Sequence, residues 1–367
     1  MEKLRIIISG GGTGGHIFPA LSIAGEFKKR FPDCDIRFVG AQGRMEMEKV
    51  PAAGFPIIGL PVIGFPRKPG LSYVRFVVKL LQSMMIARKI VREFRPHIAI
   101  GVGGYASGPL LRAALSRNIP ALIQEQNSLA GKTNRWLGKK VGCICVAYED
   151  MERFFPKEKI VLTGNPVRSN LFITGPPKEE ALSWFHLTPE QKTVLLTGGS
   201  LGARSLNNAV LLNLEMIGNA GFSLIWQTGS YYYKEMVEKT KGILPPNIRI
   251  LEFIDRMDLA YTAADVIIAR AGAGTISELC LVGKPVILVP SPNVAEDHQT
   301  RNAMALIAKE AAILTGDDEI GDKLFPAVKN LLNNPATMKS LSENIHKMAL
   351  PGATSQIVDE ALKLIGR

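Results

Sequence analysis

The chain has 367 residues, a length that favours two domains, and its 46% hydrophobic and 21% charged residues are typical of a globular protein. No apolar run is long enough to predict a transmembrane helix. The formal net charge of +11 is unevenly placed: residues 1–165 hold 25 Lys and Arg against 12 Asp and Glu, whereas residues 166–367 hold 19 against 21. The basic first part predicts an anionic partner, either nucleic acid, a phosphorylated ligand or an anionic membrane surface.

The hydrophobic pattern predicts short apolar strands that alternate with helices. A first strand at residues 4–9 leads into glycines and then a helical pattern. Further strands are predicted at residues 35–40, 96–101, 120–124 and 143–147, and a second series at 193–197, 223–227, 248–251, 266–269 and 286–290. This alternation predicts an α/β fold with parallel sheets.

The two series begin alike, which predicts two related halves. Residues 5–16 read RIIISGGGTGGH, and residues 193–204 read TVLLTGGSLGAR. A Pro-rich, polar stretch at about 163–189 is typical of an interdomain linker. We therefore predict a first domain of residues 1–165, joined by the C-terminal helix at about 351–367, and a second domain of residues 166–350.

Three glycine loops each follow a predicted strand: residues 10–15, 101–108 and 198–202, here called the first, second and third glycine loops. Such loops let backbone N–H groups approach a phosphate at the positive end of a helix. Gly10, Gly12 and Gly15 satisfy GxGxxG, but no acidic residue stands at the tip of the second strand, and no P-loop lysine is present. A nicotinamide-dependent oxidoreductase and ATP-dependent phosphoryl transfer are therefore disfavoured.

His16 directly follows the first glycine loop, in the predicted first turn of a helix. A helix N-terminus favours neutral imidazole, which could take a proton from a hydroxyl nucleophile. The alternative is a helix-start residue or a simple ligand contact. The other histidines lack metal-ligand spacing, and the Asp33-Cys34-Asp35 triplet precedes a strand, so no metal site is predicted.

A further cluster lies in the second series, where residues 270–275 (RAGAGT) precede a helix that contains Glu278. The Glu278 carboxylate could accept both hydroxyls of a ribose; alternatively, it only complements the helix dipole. The polar loop at residues 293–302 suits a polyhydroxylated ligand, because a sugar requires many hydrogen bonds and little charge.

These motifs form one ordered set, GGTGGHIFPA (11–20), GVGGYASGP (101–109), QEQN (124–127), GNPVR (164–168), GGSLGAR (198–204) and RAGAGTISEL (270–279). Together they resemble the MurG family of peptidoglycan N-acetylglucosaminyltransferases over nearly the whole chain. The resemblance implies a GT-B fold, with two Rossmann-like domains facing across a cleft. It implies inverting transfer of N-acetylglucosamine (GlcNAc) from UDP-GlcNAc to the lipid-linked muramoyl-pentapeptide lipid I, without metal or cofactor, to give the β-linked product lipid II.

The resemblance also implies roles for individual residues. His16 would be the catalytic base. The donor would be bound by Thr13, Gly14, Gly15, Asn127, Arg168, Ser200, Ile254, Ala273, Thr275, Glu278, Gln299 and Asn302. The acceptor would be bound by Gly14, Gly15, Gly104, Tyr105 and Glu125. Many family members have tandem glutamines where this chain has His298-Gln299, so His298 receives no role.

A lipid acceptor implies contact with an anionic membrane surface. Residues 72–95 predict a helix on which Arg75, Lys79 and Lys89 fall together, preceded by Arg67 and Lys68. The alternative is an ordinary helix whose apolar side faces the core. The resemblance implies a peripheral enzyme on the cytoplasmic face of the bacterial plasma membrane, with other cell-wall synthesis proteins as further partners.

Other functions explain less of the sequence. Another GT-B glycosyltransferase or a UDP-sugar epimerase would leave residues 101–109 and 124–127 without a role. A nucleic-acid-binding protein is disfavoured, because the basic residues form no recognition motif and are not interleaved with aromatic residues.

Overall fold

The computed structural model describes residues 3–64, 66, 70–167, 176–294 and 297–367. The chain divides into two compact units. Unit 1 consists of Met1–Val167 with Leu350–Arg367, and unit 2 consists of Arg168–Ala349.

In the described part of unit 1, seven parallel strands form one sheet. In chain order the strands are β1 (Arg5–Ser9), β2 (Asp35–Ala41), β3 (Ile57–Leu60), β4 (Ile98–Gly101), β5 (Ala121–Glu125), β6 (Cys143–Val146) and β7 (Ile160–Leu162). The order across the sheet is β3-β2-β1-β4-β5-β6-β7. The helices between them are α1 (Gly14–Arg30), α2 (Glu46–Ala52), α3 (Leu71–Phe94), α4 (Ser107–Leu115) and α5 (Lys132–Gly138), and short 3-10 turns lie at Met151–Arg153 and Lys157–Lys159.

The sheet order places the first two glycine loops side by side. Ile6, Ile7 and Ile8 of β1 are fully buried, as expected of a central strand covered by helices on both faces. β1 pairs with β2 on one side and with β4 on the other, so the strand order reverses between β1 and β4. Ligands of open α/β sheets bind at the carboxyl ends of strands at such a reversal.

In the described part of unit 2, six parallel strands repeat this pattern in the order β10-β9-β8-β11-β12-β13. The strands are β8 (Lys192–Thr197), β9 (Phe222–Gln227), β10 (Ile248–Leu251), β11 (Val266–Ala269), β12 (Val286–Leu288) and β13 (Ile313–Leu314). The helices are α6 (Lys178–Trp184), α7 (Arg204–Leu212), α8 (Leu214–Gly218), α9 (Tyr233–Thr240), α10 (Met257–Ala263), α11 (Ala273–Val282), α12 (His298–Ile307), α13 (Ile320–Leu332) and α14 (Pro335–Lys347).

The last helix, α15 (Ala353–Lys363), returns to unit 1 and packs against α1. Ile357 and Val358 are fully buried in the core around β1. Arg30 at the end of α1 donates hydrogen bonds to the carboxylate of Asp359 at 2.5 Å and to the carbonyl of Ser355 at 3.2 Å. Buried apolar side chains, together with the hydrogen bonds of Arg30, thus hold the C-terminal helix on unit 1.

Ten of the described strands lie within about two residues of their predicted positions, but β3, β7 and β13 were not predicted. All three lie at sheet edges, where part of each strand remains accessible to solvent. Short, half-exposed strands lack the continuous apolar run of a buried strand. The predicted linker was too long, because α6 begins at Lys178 and packs on α10 within unit 2.

Candidate active site

The first and second glycine loops touch in unit 1. Gly104 has a φ of +88°, and a Cβ placed on it would lie 2.5 Å from the carbonyl oxygen of Gly11. A Cβ on Gly103 would lie 3.0 Å from Cε1 of His16, so the imidazole rests directly on the second loop. The predicted base and the predicted acceptor loop are therefore brought together.

His16 lies in the first turn of α1, where its N–H donates to the carbonyl of Thr13 at 3.1 Å. Thr13 is the exposed N-cap residue, and Gly14 and Gly15 are the first two residues of the helix. The first turn contains no acidic side chain, so no carboxylate within it offsets the positive helix end. That environment favours an anion at the start of the helix.

Glu46, which sequence reasoning missed, supports the first glycine loop from behind. Its side chain is fully buried, and its two carboxylate oxygens accept hydrogen bonds from the N–H groups of Gly12 and Ala41, each at 2.9 Å. The tip of β2 has no acidic residue of its own, but the first residue of α2 brings a carboxylate to it. A carboxylate therefore does lie at the tip of β2, but it comes from the following helix and not from the strand.

Tyr105 is 53% exposed at the outer side of the second loop. A Cβ on Gly64 would lie 2.9 Å from its hydroxyl, so the ring packs on the segment that follows β3. The predicted acceptor residue Tyr105 is thus accessible and held in place.

Glu125, by contrast, is only 2% exposed. Its carboxylate accepts hydrogen bonds from the backbone N–H of Asn127 at 3.1 Å, the side-chain amide of Asn127 at 3.4 Å, the N–H of Gly131 at 3.0 Å and the amide of Asn134 at 2.9 Å. These bonds shape the loop between β5 and α5 and orient Asn127. They favour a positioning role for Glu125 over direct contact with the acceptor.

A buried amide network links three of the sequence motifs. Gln124 donates to Asn165 at 2.9 Å, Asn165 donates to the carbonyl of Gln126 at 3.0 Å, and Gln126 donates to the carbonyl of Val102 at 2.7 Å. Asn165 belongs to GNPVR, whose last residue, the predicted UDP contact Arg168, lies outside the described residues. The network holds the start of this motif against the second loop.

In unit 2, the third glycine loop packs against the end of β9. A Cβ on Gly202 would lie 2.0 Å from the carbonyl oxygen of Thr228, a contact that only glycine allows. Ser200 is exposed at the tip of the loop, and its carbonyl accepts a hydrogen bond from the N–H of Ser230 at 3.2 Å. The predicted diphosphate contact is accessible to a ligand.

Glu278 is half-buried in the second turn of α11 and accepts a hydrogen bond from the Tyr261 hydroxyl at 3.1 Å. Ala273 and Thr275, also half-buried, lie in the first turn of that helix. Ile254 is 4% exposed, so a ligand could meet its backbone but not its side chain. Tyr261 fixes the carboxylate that the resemblance assigns to the ribose.

The two sugar-binding candidates on α12 differ in exposure. Gln299 is half-buried, and its side-chain oxygen accepts from the N–H of Ser291 at 2.8 Å. Asn302 is fully buried, and its amide donates to the carbonyl of Ala271 at 3.4 Å. The Asn302 contact favours support of the turn before α11 over direct sugar binding. His298, at the start of α12, is half-buried.

Arg270, at the carboxyl end of β11, is engaged inside unit 2. Its guanidinium donates to the carbonyls of Val289 and Pro290 at 3.0 and 3.2 Å, to Asp317 at 2.5 Å and to the hydroxyl of Ser205 at 2.6 Å. It therefore ties the ends of two strands and the start of α7 together. Among the described residues, no group of three or more His, Cys, Asp or Glu side chains could hold a metal ion.

The N-terminal half of α3 exposes an apolar surface. We call it the α3 stripe, and its exposed side chains are Tyr73, Val74, Val77, Val78, Leu81 and Met85. Arg88, Lys89 and Arg92 are exposed further along the helix at the spacings that continue this face. The core-facing residues come mainly from the second half of the helix, as Ala87, Ile90, Val91 and Phe94. Arg67 and Lys68 lie outside the described residues, and no described helix is long and apolar enough to span a membrane.

Comparison with known families defines the class. The chain matches the Glycosyltransferase family 28 N-terminal domain over residues 6–146 and the Glycosyltransferase family 28 C-terminal domain over residues 193–357. The crystal structure of Acinetobacter baumannii MurG superposes with a TM-score of 0.80 at 27% identity, covering 98% of this chain and 99% of that one. The GT-B fold expected from the sequence motifs is confirmed. A UDP-N-acetylglucosamine 2-epimerase shares the fold alone, at 16% identity and a TM-score of 0.65.

Curated relatives identify the family of glycosyltransferases to which the chain belongs. The UDP-N-acetylglucosamine--N-acetylmuramyl-(pentapeptide) pyrophosphoryl-undecaprenol N-acetylglucosamine transferase of Parabacteroides distasonis is 55% identical, with all of both chains covered. The enzyme of the same name from Bacteroides fragilis is 54% identical over 99% of this chain and 96% of its own. The chain belongs to this family of N-acetylglucosamine transferases, which confirms the resemblance seen in its motifs.

Proposed function

We propose that the protein transfers GlcNAc from UDP-GlcNAc to undecaprenyl-diphosphoryl-MurNAc-pentapeptide (lipid I) and releases lipid II and UDP. The observation that carries this proposal is the 49–55% identity, over essentially the whole chain, to relatives named for this transfer. Unit 2 supplies most of the contacts to UDP-GlcNAc, and unit 1 binds lipid I and supplies Thr13 and Asn127 to the donor.

The chemistry is a single in-line displacement. The muramic acid hydroxyl oxygen bonds to the anomeric carbon of GlcNAc while the bond from that carbon to the UDP oxygen breaks. The hydroxyl proton passes to the His16 imidazole, and the electron pair of the broken bond leaves with UDP. The contact of His16 with Gly103 supports this role, because it sets the base beside the acceptor loop.

The remaining groups bind and orient the substrates. Ser200 and Arg168 hold the diphosphate of UDP, and Glu278, oriented by Tyr261, holds the ribose. Asn127 and Gln299 hold the donor sugar. Gly14, Gly15, Gly104 and Tyr105 form the acceptor site, which Glu125 shapes from behind. Thr13, Ala273, Thr275 and the backbone of Ile254 complete the donor contacts, and Asn302 supports them from beneath.

The protein acts at the cytoplasmic face of the bacterial plasma membrane, and the α3 stripe supports this proposed location. An exposed apolar stripe with basic residues on the same helix suits the headgroup region of an anionic bilayer. Trp136 on α5 is 46% exposed, with Arg112 and Lys140 each 5.5 Å from its ring centre. The excess positive charge of residues 1–165 also favours binding to an anionic membrane surface. Other cell-wall synthesis proteins are further proposed partners.

The test is sugar transfer from labelled UDP-GlcNAc to a lipid I analogue in vesicles. We expect labelled lipid II from the wild-type protein, and we expect His16→Ala to lower kcat by about 100-fold or more with the Kd for UDP unchanged. His346→Ala, on the exposed face of α14, is the matched control. Free GlcNAc or an epimerised sugar as the main product would contradict the proposed function. Wild-type turnover by His16→Ala would contradict the role of His16 as the catalytic base.

A further inference from the structure

Glu46 is a buried carboxylate that the proposed chemistry does not use. It is fully buried beside the first glycine loop, and both of its oxygens accept backbone hydrogen bonds. A Cβ on Gly11 would lie 2.1 Å from Oε1 of Glu46, and a Cβ on Gly40 would lie 2.6 Å from its Cγ. The two glycines therefore form a cradle that admits this side chain, at a cost in backbone freedom.

The cradle is connected to the acceptor side of the site by direct contacts. Glu46 fixes the N–H of Gly12, and the adjacent Gly11 carbonyl lies against Gly104. The same loop leads into α1, which carries His16 onto Gly103. A shift of the loop would therefore move the imidazole and the second loop relative to each other.

The internal repeat shows what the carboxylate replaces. Aligning RIIISGGGTGGH with TVLLTGGSLGAR makes Ser200 the counterpart of Gly12. Glycine loops of this kind usually direct their N–H groups at the phosphate of a nucleotide. In unit 1 the Gly12 N–H instead meets an anion supplied by the protein itself.

We propose that Glu46 is a positioning residue that holds the first glycine loop, and through it His16, in the geometry that accepts the sugar hydroxyl. The proposal rests on the proposed role of His16. The Glu46 carboxylate takes the place of a nucleotide phosphate at the Gly12 N–H, so this N–H is not available to the UDP diphosphate, which unit 2 binds.

Glu46→Gln tests the proposal, because glutamine keeps the length of the side chain but turns an N–H₂ group toward one of the two backbone N–H groups. We expect kcat to fall by about 10- to 100-fold, as for small misplacements of catalytic groups, while the Kd for UDP measured by calorimetry stays within about twofold. The matched control is Glu48→Gln, the same substitution at an exposed position of the same helix, and it should keep wild-type kinetics.

The double variant distinguishes positioning from a general loss of structure. If Glu46 acts through His16, adding Glu46→Gln to His16→Ala should slow the reaction by no more than about twofold further. Multiplicative losses, or wild-type turnover by folded Glu46→Gln, would overturn the proposal. If His16 is not the catalytic base, the single variant His16→Ala will retain activity, and this outcome is distinct from those of the double variant.

Gly40→Ala provides a second route if Glu46→Gln does not fold. The added Cβ would lie 2.6 Å from Cγ of Glu46 and therefore displaces this side chain from its position in the cradle. Reduced kcat with unchanged UDP affinity would support the proposal, and wild-type kcat would overturn it.

Discussion

Replacing Leu81 and Met85 of the α3 stripe by glutamine should weaken binding to anionic vesicles. These side chains are 57% and 62% exposed. Since full burial of such a side chain contributes about 2 kcal/mol, transfer of the exposed half into the headgroup region contributes about 1 kcal/mol each. The double variant should lose about 2 kcal/mol, which corresponds to about 30-fold weaker binding.

Co-sedimentation with vesicles of phosphatidylglycerol and phosphatidylethanolamine at fixed ionic strength measures this loss. The matched control is Leu212→Gln with Ile243→Gln, which removes two exposed apolar side chains from unit 2 (77% and 64% exposed). The control should bind vesicles like the wild type. Equal binding by the α3 double variant and the wild type, with unchanged thermal unfolding, would refute the assignment of this face to the membrane.

Two further predictions concern unit 2. Glu278→Gln should raise the KM for UDP-GlcNAc by about tenfold or more, because a hydrogen bond to a charged group contributes about 1.5–3 kcal/mol. An unchanged KM for UDP-GlcNAc in steady-state assays would show that Glu278 does not bind the ribose. Burial lowers the pKa of Lys284 to about 8. The unfolded chain therefore binds this proton more tightly, and the free energy of unfolding should rise between about pH 8 and pH 10 by up to about 3 kcal/mol. In urea titrations, the Lys284→Met variant should not show this increase in the free energy of unfolding between about pH 8 and pH 10. If the variant and the wild type show the same pH dependence, Lys284 is not its cause.

The sequence predicted the interior of both sheets well because burial on both faces leaves a readable apolar run. Ile6–Ile8 and residues 266–269 are examples, and both lie in the middle of their sheets. β13, with two residues and a half-exposed pattern, offers no such signal. Such a short edge strand is recognised from its neighbour in space, which a single sequence does not reveal.

Candidate site residues were predictable from the glycine loops, but the direction of their side chains was not. Glu125 and Asn302 were expected to meet ligands, yet the Glu125 carboxylate bonds to the loop that follows it, and the Asn302 amide bonds to the turn before α11. Glu46 gave no motif signal, because its partners are backbone N–H groups of residues 12 and 41. Residue type and spacing indicate which chemistry is present, whereas the fold decides which carboxylates support a loop and which remain accessible.

The most direct test of the proposed transfer is the structure of its product. The wild-type protein, UDP-GlcNAc labelled with ¹³C at the anomeric carbon and a lipid I analogue should yield one equivalent of UDP per disaccharide lipid. The ¹³C–¹H coupling of the new bond should report a β linkage, as a single displacement from the α-linked donor requires. An α-linked product, or UDP released without a disaccharide lipid, would contradict the account.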